Sequence, residues 1–254
     1  MPISAFNDVA TVAAWQNWFL RMSFSNTPVV LPWPLQIGLE LATRALLDPG
    51  DQSSVDFSRP AGEPALVSPD SVSWRVFKNP VSLFIGGVTA VIMEFAEPRV
   101  RTGVWEHTTF RVDPVRRLRR TGLAAMVTVY GTRSMAEGMI ARVRGVHDGI
   151  TGITPSGEAY RANDPELLNW VHCTAQAYHT YVKPLSLLER NCYYAEGDTA
   201  AALYGASGAP ASEADLEMLF QAMAGRLERS DIVFEFLAIM RSAPILPLLL
   251  RPFQ

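Results

Sequence analysis

Three dipeptides of one kind, Asn79-Pro80, Asp113-Pro114 and Asp164-Pro165, constrain this chain more than any other local feature. A short polar side chain ahead of a proline caps the open amides of a helix, and the proline presets the backbone of its first turn. Each pair therefore predicts a helix start, and three of them along a 254-residue chain predict an all-α body. Strand signals are few. The best is ITPSGEAYRA at 153–162, where Pro155-Ser156-Gly157 turns one short β-hairpin linking two helices. A late helix capped by Ser212 and running to about Leu227, then another over Ile232 to Met240, complete a single helical domain spanning 1–254.

Residues 48–72 concentrate Pro, Gly, Ser and Asp and read as a long surface connection between an N-terminal helical segment and the main body. The uncharged run 79–93 is shorter than the roughly 18 to 20 residues of a membrane span and contains Gly86 and Gly87. It reads as a buried helix. Prolines interrupt the apolar end ILPLLLRPFQ, which suits docking on a core or partner better than insertion into lipid. The start, MPISAFNDVATVAAWQNWF, has no basic leader and reads as lacking a signal peptide.

Cys173 and Cys192 fit neither a CxxC nor a zinc spacing, and this cysteine usage suits a reducing cytoplasm. With 22 basic against 25 acidic residues, the net charge of -3 offers no general attraction to nucleic acid. No GxGxxG, GxxxxGK[ST] or GxSxG is present, nor the repeated Glu-x-x-His pairs of a di-iron bundle, so nucleotide binding, serine hydrolysis and di-iron chemistry lose their usual warrants. The oligomeric state is left open.

Three predicted helices carry the informative polar residues. Over 134–150, a Ser134-x-x-Glu137 capping box opens a helix whose Met139, Ile140, Val143, Val146 and Ile150 share one face. His147 falls on that face, while Arg142, Arg144 and Asp148 lie away from it. Two readings stand: a metal-binding imidazole in an apolar wall, or a core histidine bonded to a carbonyl. After Asp113-Pro114, the seam Arg117, Thr121, Ala124 and Thr128 enters an apolar interior, where an arginine needs an anion; solvated arginines at a helix end are the alternative. In PELLNWVHCTAQAYHTYV the inward stripe is Leu167, Leu168, Val171, Ala175, Tyr178 and Val182, flanked by His172 and His179 at a spacing that does not match HExxH.

From about Ser68 to Glu196, the run SPDSVSWRV, EHTTFRVDPVRRLRRT, VYGTRSMAE, RVRGVHDGITG, AYRANDPELLNWVH and PLSLLERNCYYAEG resembles the family of latex-clearing proteins and MpaB-type oxygenases. The resemblance implies a globin-like all-α core holding haem b, an iron-binding histidine, and oxygen chemistry on apolar substrates. By motif, His147 in RVRGVHDGITG matches the iron ligand. The distal Arg-x-x-Lys-Thr stretch of the latex-clearing branch corresponds to Arg117-Leu118-Arg119-Arg120-Thr121, with Arg120 where that branch has a lysine ligand. A guanidinium stays protonated and has no lone pair for iron. The resemblance thus implies Arg117, Arg120 and Thr121 as catalytic or haem-contacting groups, and His172 as structural support or a haem-edge contact.

The expected function is a haem b-dependent oxygenase that activates O2 on His147-ligated iron and acts on a hydrophobic small molecule. A non-catalytic haem sensor or carrier, and a cofactor-free helical ligand-binding protein, are the alternatives.

Overall fold

The computed structural model describes residues 55–78, 80–177 and 185–243. The chain divides into units of residues 1–36 and 37–254, and every described residue belongs to the second. Helix α1 (Val72–Phe77) begins where Ser71 Oγ accepts the Trp74 amide at 3.1 Å. Its first amides, on Val72 and Ser73, donate to the Glu196 carboxylate at 2.9 and 2.8 Å. Helix α2 (Pro80–Glu94) is followed by α3 (Pro98–His107), capped by Glu97, which accepts from Val100 N at 2.8 Å.

Asp113 caps α4 (Pro114–Tyr130) by accepting from Arg116 N at 3.1 Å, as the Asp-Pro pair predicts. Helix α5 (Arg133–Asp148) leads into β1 (Thr151–Ile153) and β2 (Ala159–Arg161), an antiparallel pair with Gly152 opposite Tyr160. The hairpin turns at Gly157, whose φ of 90° lies in the left-handed region glycine favours. Asp164 Oδ1 then accepts from Glu166 N at 2.9 Å as α6 (Pro165–Ala177) begins.

A full capping box, Ser186 with Glu189, opens α7 (Leu187–Glu196). Helix α8 (Asp198–Tyr204) ends at Gly205, and Ser212 caps α9 (Glu213–Met223) as expected from the sequence. A 3-10 turn at Ala224–Arg226 shortens that predicted helix, and α10 (Asp231–Ser242) follows. The described chain is thus mainly α with one small hairpin linking α5 to α6, as the sequence predicts. No helix among the described residues is long and apolar enough to cross a membrane.

Aromatic residues knit α2, α3, α4 and α10 together: Phe95 and Phe236 are fully buried and meet edge to face at 5.5 Å, with Trp105 and Phe110 beside them. Truncating either phenylalanine to alanine is worth about 3–5 kcal/mol. A second cluster packs α3, β2, α6 and α9 around Trp170, Tyr160, Val100 and Met223. Tyr160 lies against Gly103, donates to Glu106 Oε2 at 3.3 Å, and sits 3.2 Å from His107 Nε2, so the hairpin is fastened to α3. An ionic network fastens its other side. Arg99 donates to Glu97 at 2.7 Å and to Glu166 at 2.9 Å, while Arg226 reaches both Glu166 and Glu158.

Several local expectations are corrected. The Ser134–Glu137 box does not form, because Ser134 already lies inside α5 and binds Glu63 instead, its amide and hydroxyl both donating at 2.7 Å. Ala136 and Ile140 are the buried positions of α5, packed on α8, whereas Val146 is 55% exposed. The stretch before α1 is not all surface, since Leu66 and Val67 are buried. Helix α2 is half-buried rather than enclosed, with Ile85 48% exposed. In α6 the most deeply buried side chains are Trp170, Cys173 and Thr174, between the predicted Leu167/Leu168 pair and the helix end. Asn79, Tyr178, His179, Val182, the N-terminal segment and the apolar end 245–254 lie outside the described residues.

Candidate active site

Four helices contribute the polar groups that stand out. Helix α4 enters the interior as predicted: Val127, Thr128 and Val129 are buried, and Thr128 bonds its own helix at Ala124 O and lies 3.3 Å from the Tyr204 hydroxyl. One turn from its start, Arg117 is half-buried. Its Nη1 donates to Thr121 Oγ1 at 2.7 Å, and its guanidinium stands 5.7 Å from the centre of the Phe110 ring. The Arg117 Nε is enclosed and has no hydrogen-bond partner among the described residues. Thr121 in turn donates to Arg117 O, so the predicted seam is a hydrogen-bonded unit. Arg120 and Thr121 are exposed on the same stretch.

His147, in the last turn of α5, is half-buried, and its Nδ1 is enclosed without a partner. Burial and the nearby Arg117 charge hold its pKa below the usual imidazole value; the Asn163 amide and the Asp148 carboxylate pull the other way. The charge of Arg117 therefore links the predicted distal seam to the predicted ligand. Asn163 Nδ2 clips this turn by donating to Arg144 O at 3.0 Å and to Asp148 Oδ1 at 2.6 Å. Asp148 and the Arg144 carbonyl therefore flank His147, although both side chains project to solvent as predicted.

The residue that sequence reasoning missed is Glu94, at the end of α2. Burial pushes its carboxyl up to about 7, against the lowering effects of the Arg117 charge and of a long hydrogen bond from Thr174 Oγ1 at 3.5 Å. Arg117 reciprocally has its pKa lowered by burial and by Arg120, and raised by Glu94. No local motif marks Glu94; the only signal is a carboxylate closing an otherwise uncharged helix. Glu94, Arg117 and His147 form a chain of electrostatic neighbours drawn from α2, α4 and α5.

His172 stands apart from that chain. Two positions along a helix are about 200° apart, so His172 projects from α6 on the side opposite Thr174 and Glu94. Its half-buried ring faces the α7–α8 junction, where a Cβ on Gly197 would lie 3.3 Å from Nε2. Burial lowers its pKa to about 4 although the Asp198 carboxylate favours the charged ring, and Nε2 has no partner among the described residues.

The arrangement offers a neutral imidazole with an enclosed second nitrogen, a cation with no ion-pair partner among the described residues, and a carboxyl poised near neutrality. Such a set can bind a metal or an anion and can hold a proton beside it. No curated protein matches the chain, and no solved structure matches it. The family described as ER-bound oxygenase mpaB/B'/rubber oxygenase, catalytic domain, matches residues 74–254, which include every one of these groups. The chain therefore belongs to the mpaB and rubber oxygenase family and is an enzyme of the oxygenase class.

Proposed function

We propose that the protein is a haem b-dependent oxygenase acting on a hydrophobic small molecule, with His147 as the iron ligand. The carrying observation is the meeting across α4 and α5 of an enclosed imidazole, His147, with the charge of a half-buried arginine, Arg117, that forms no ion pair among the described residues. The residues present fit the group. A tetrapyrrole fills four positions on iron, so one imidazole suffices as the protein's ligand, and its propionates need cations. Arg117 and Arg120 supply them from successive turns of one helix.

When bound, the haem supplies the redox centre on which O2 is activated. The chain's own residues do the rest. His147 Nε2 is the nitrogen left for the metal, because Nδ1 is turned into the protein. Arg120 cannot ligate, since a guanidinium has no free lone pair, so it serves as a charge. Thr121 Oγ holds the Arg117 guanidinium in place. Glu94, with its pKa near 7, can take or release a proton at its carboxyl within reach of the Arg117 charge. The apolar substrate class is supported by the family description, which includes rubber oxygenases. His172, on the far side of α6, supports the helix packing around the site.

An ultraviolet-visible spectrum of protein purified with haem supplied, beside His147→Ala, tests the reading. An intense Soret band in the wild type that is lost or displaced in the variant supports cofactor and ligand together. Absence of haem uptake in both overturns the proposal. Haem uptake without oxygen consumption on any apolar substrate tried favours the carrier alternative.

A further inference from the structure

Asn163 lies between the hairpin and the cap of α6, and its carboxamide reaches back over the last turn of α5. Residues three and four apart on a helix share a face, so the two acceptors it binds, Arg144 O and Asp148 Oδ1, straddle His147 on that turn. Both acceptors take hydrogens from Nδ2, which fixes the orientation of the amide. Oδ1 is the atom left over, enclosed and without a hydrogen-bond partner among the described residues. His147 Nδ1 is in the same condition. The Asn163 side chain is near enough to the ring to favour its protonated form. One enclosed acceptor and one enclosed ring nitrogen that can donate thus lie at the same turn of α5, each costly to leave unmet and each chemically able to satisfy the other.

We infer that Asn163 is a positioning residue for His147: its Oδ1 accepts the Nδ1 proton, which fixes the tautomer and leaves the Nε2 lone pair for a metal. A second bond of this kind is what orients a ligating histidine and sets its basicity. An amide oxygen is a neutral acceptor, so it holds the ring neutral with less push on the metal than a carboxylate gives. The role toward iron rests on the haem reading above; the tautomer does not.

The test starts on the full chain without haem. Long-range 15N NMR of the His147 ring is expected to show the Nδ1–H tautomer in the wild type. Asn163→Leu, which removes the acceptor, is expected to shift the ring to Nε2–H, and Asn163→Asp to restore Nδ1–H. If Asn163→Leu fails to fold, Asn163→Ala carries the same reading. With haem, loss of the acceptor is expected to weaken binding about 10–100-fold. Asn163→Asp is expected to bind and to move the iron–histidine stretching band to higher frequency. A wild-type ring in the Nε2–H form, or a tautomer indifferent to loss of the acceptor, overturns the inference. Tautomer changes as expected with no haem uptake in any form leave the Asn163–His147 bond standing and sink the haem reading instead.

Discussion

Glu94 in the last turn of α2 and Arg117 in the first turn of α4 feel each other's charge, yet no ion pair joins them. The carboxyl sits at a helix C-terminus, where the peptide dipoles disfavour negative charge, and the hydrogen bond it accepts from Thr174 is long. Among the described residues the guanidinium donates to Thr121 and lies over the Phe110 ring. Opposite charges held apart in this way leave each group sensitive to whatever enters between them.

Stability will register the Glu94 proton. Its pKa is raised from 4.5 to about 7, so between those values the folded protein holds a proton that the unfolded chain has released. Stability therefore falls as pH rises through that range. Glu94→Gln abolishes the effect. Between pH 5 and pH 8, urea unfolding should show the variant gaining on the wild type by on the order of 1–3 kcal/mol, reduced by the solvent the side chain still touches. A constant difference across the range rules this out.

Removing the Arg117 charge moves two groups the same way. Arg117 holds down the pKa of both Glu94 and His147, so Arg117→Met is expected to raise both in an NMR titration, and Arg117→Lys to bring both back. If the His147 titration is indifferent to Arg117→Met, the electrostatic link across α4 and α5 does not exist.

His172 behaves in the opposite sense to Glu94. Its pKa drops from 6.5 to about 4, so as pH falls through that interval the unfolded chain takes up a proton that the folded state refuses. The stability this provides is complete above about pH 6.5 and is lost toward pH 4. The ring should remain neutral at pH 5.5 by NMR; half-protonation near pH 6.5 would contradict its enclosure.

Local chemistry carried much of the fold into view. Asp113, Asp164 and Ser212 cap the helices their neighbours announce because a cap is an interaction over three residues. Glu97-Pro98 obeys the same logic, but glutamate is an uncommon cap and so gives a weaker signal of a helix start. The Ser134 box failed because a distant acceptor, Glu63, won the serine. At the site, Arg117 and Thr121 were readable from one helix, and His147 from a family motif more than from periodicity, since Val146 beside it is exposed. Glu94 showed in the sequence only as a lone carboxylate closing an uncharged stretch. Its character comes from burial at the place where α2, α4 and α6 meet, which no window of sequence contains.

Among the described residues, Glu97 is the most deeply buried carboxylate. It is 1% exposed, caps α3 through Val100 N, and neutralises Arg99, itself 8% exposed. Glu97→Ala leaves that arginine without its closest partner and is expected to destabilise the protein by about 3–5 kcal/mol in chemical denaturation. A loss below about 1 kcal/mol would mean that Glu166 and Glu158 can compensate alone.

Crowding beneath the hairpin gives a further test. A Cβ on Gly152 would fall 2.5 Å from the Tyr160 hydroxyl and 2.7 Å from its ring carbon, and a ring wedged against Gly103 has little room to yield. Gly152→Ala is expected to cost about 1–3 kcal/mol and to displace the Tyr160 resonances. Unchanged melting would show that the ring can move aside.

The arginine network at the hairpin has two layers that salt will separate. Arg99 and Glu97 lie inside, whereas Arg226, Glu158 and Glu166 are each 39–48% exposed and open to counterions. Raising ionic strength toward 1 M shrinks the screening length to about 3 Å and weakens the outer layer while sparing the inner pair. Amide exchange will then quicken at Glu158 and in the first turn of α6 well before the melting temperature responds. Salt thus becomes a dial for the freedom of the segment that holds Asn163 over His147.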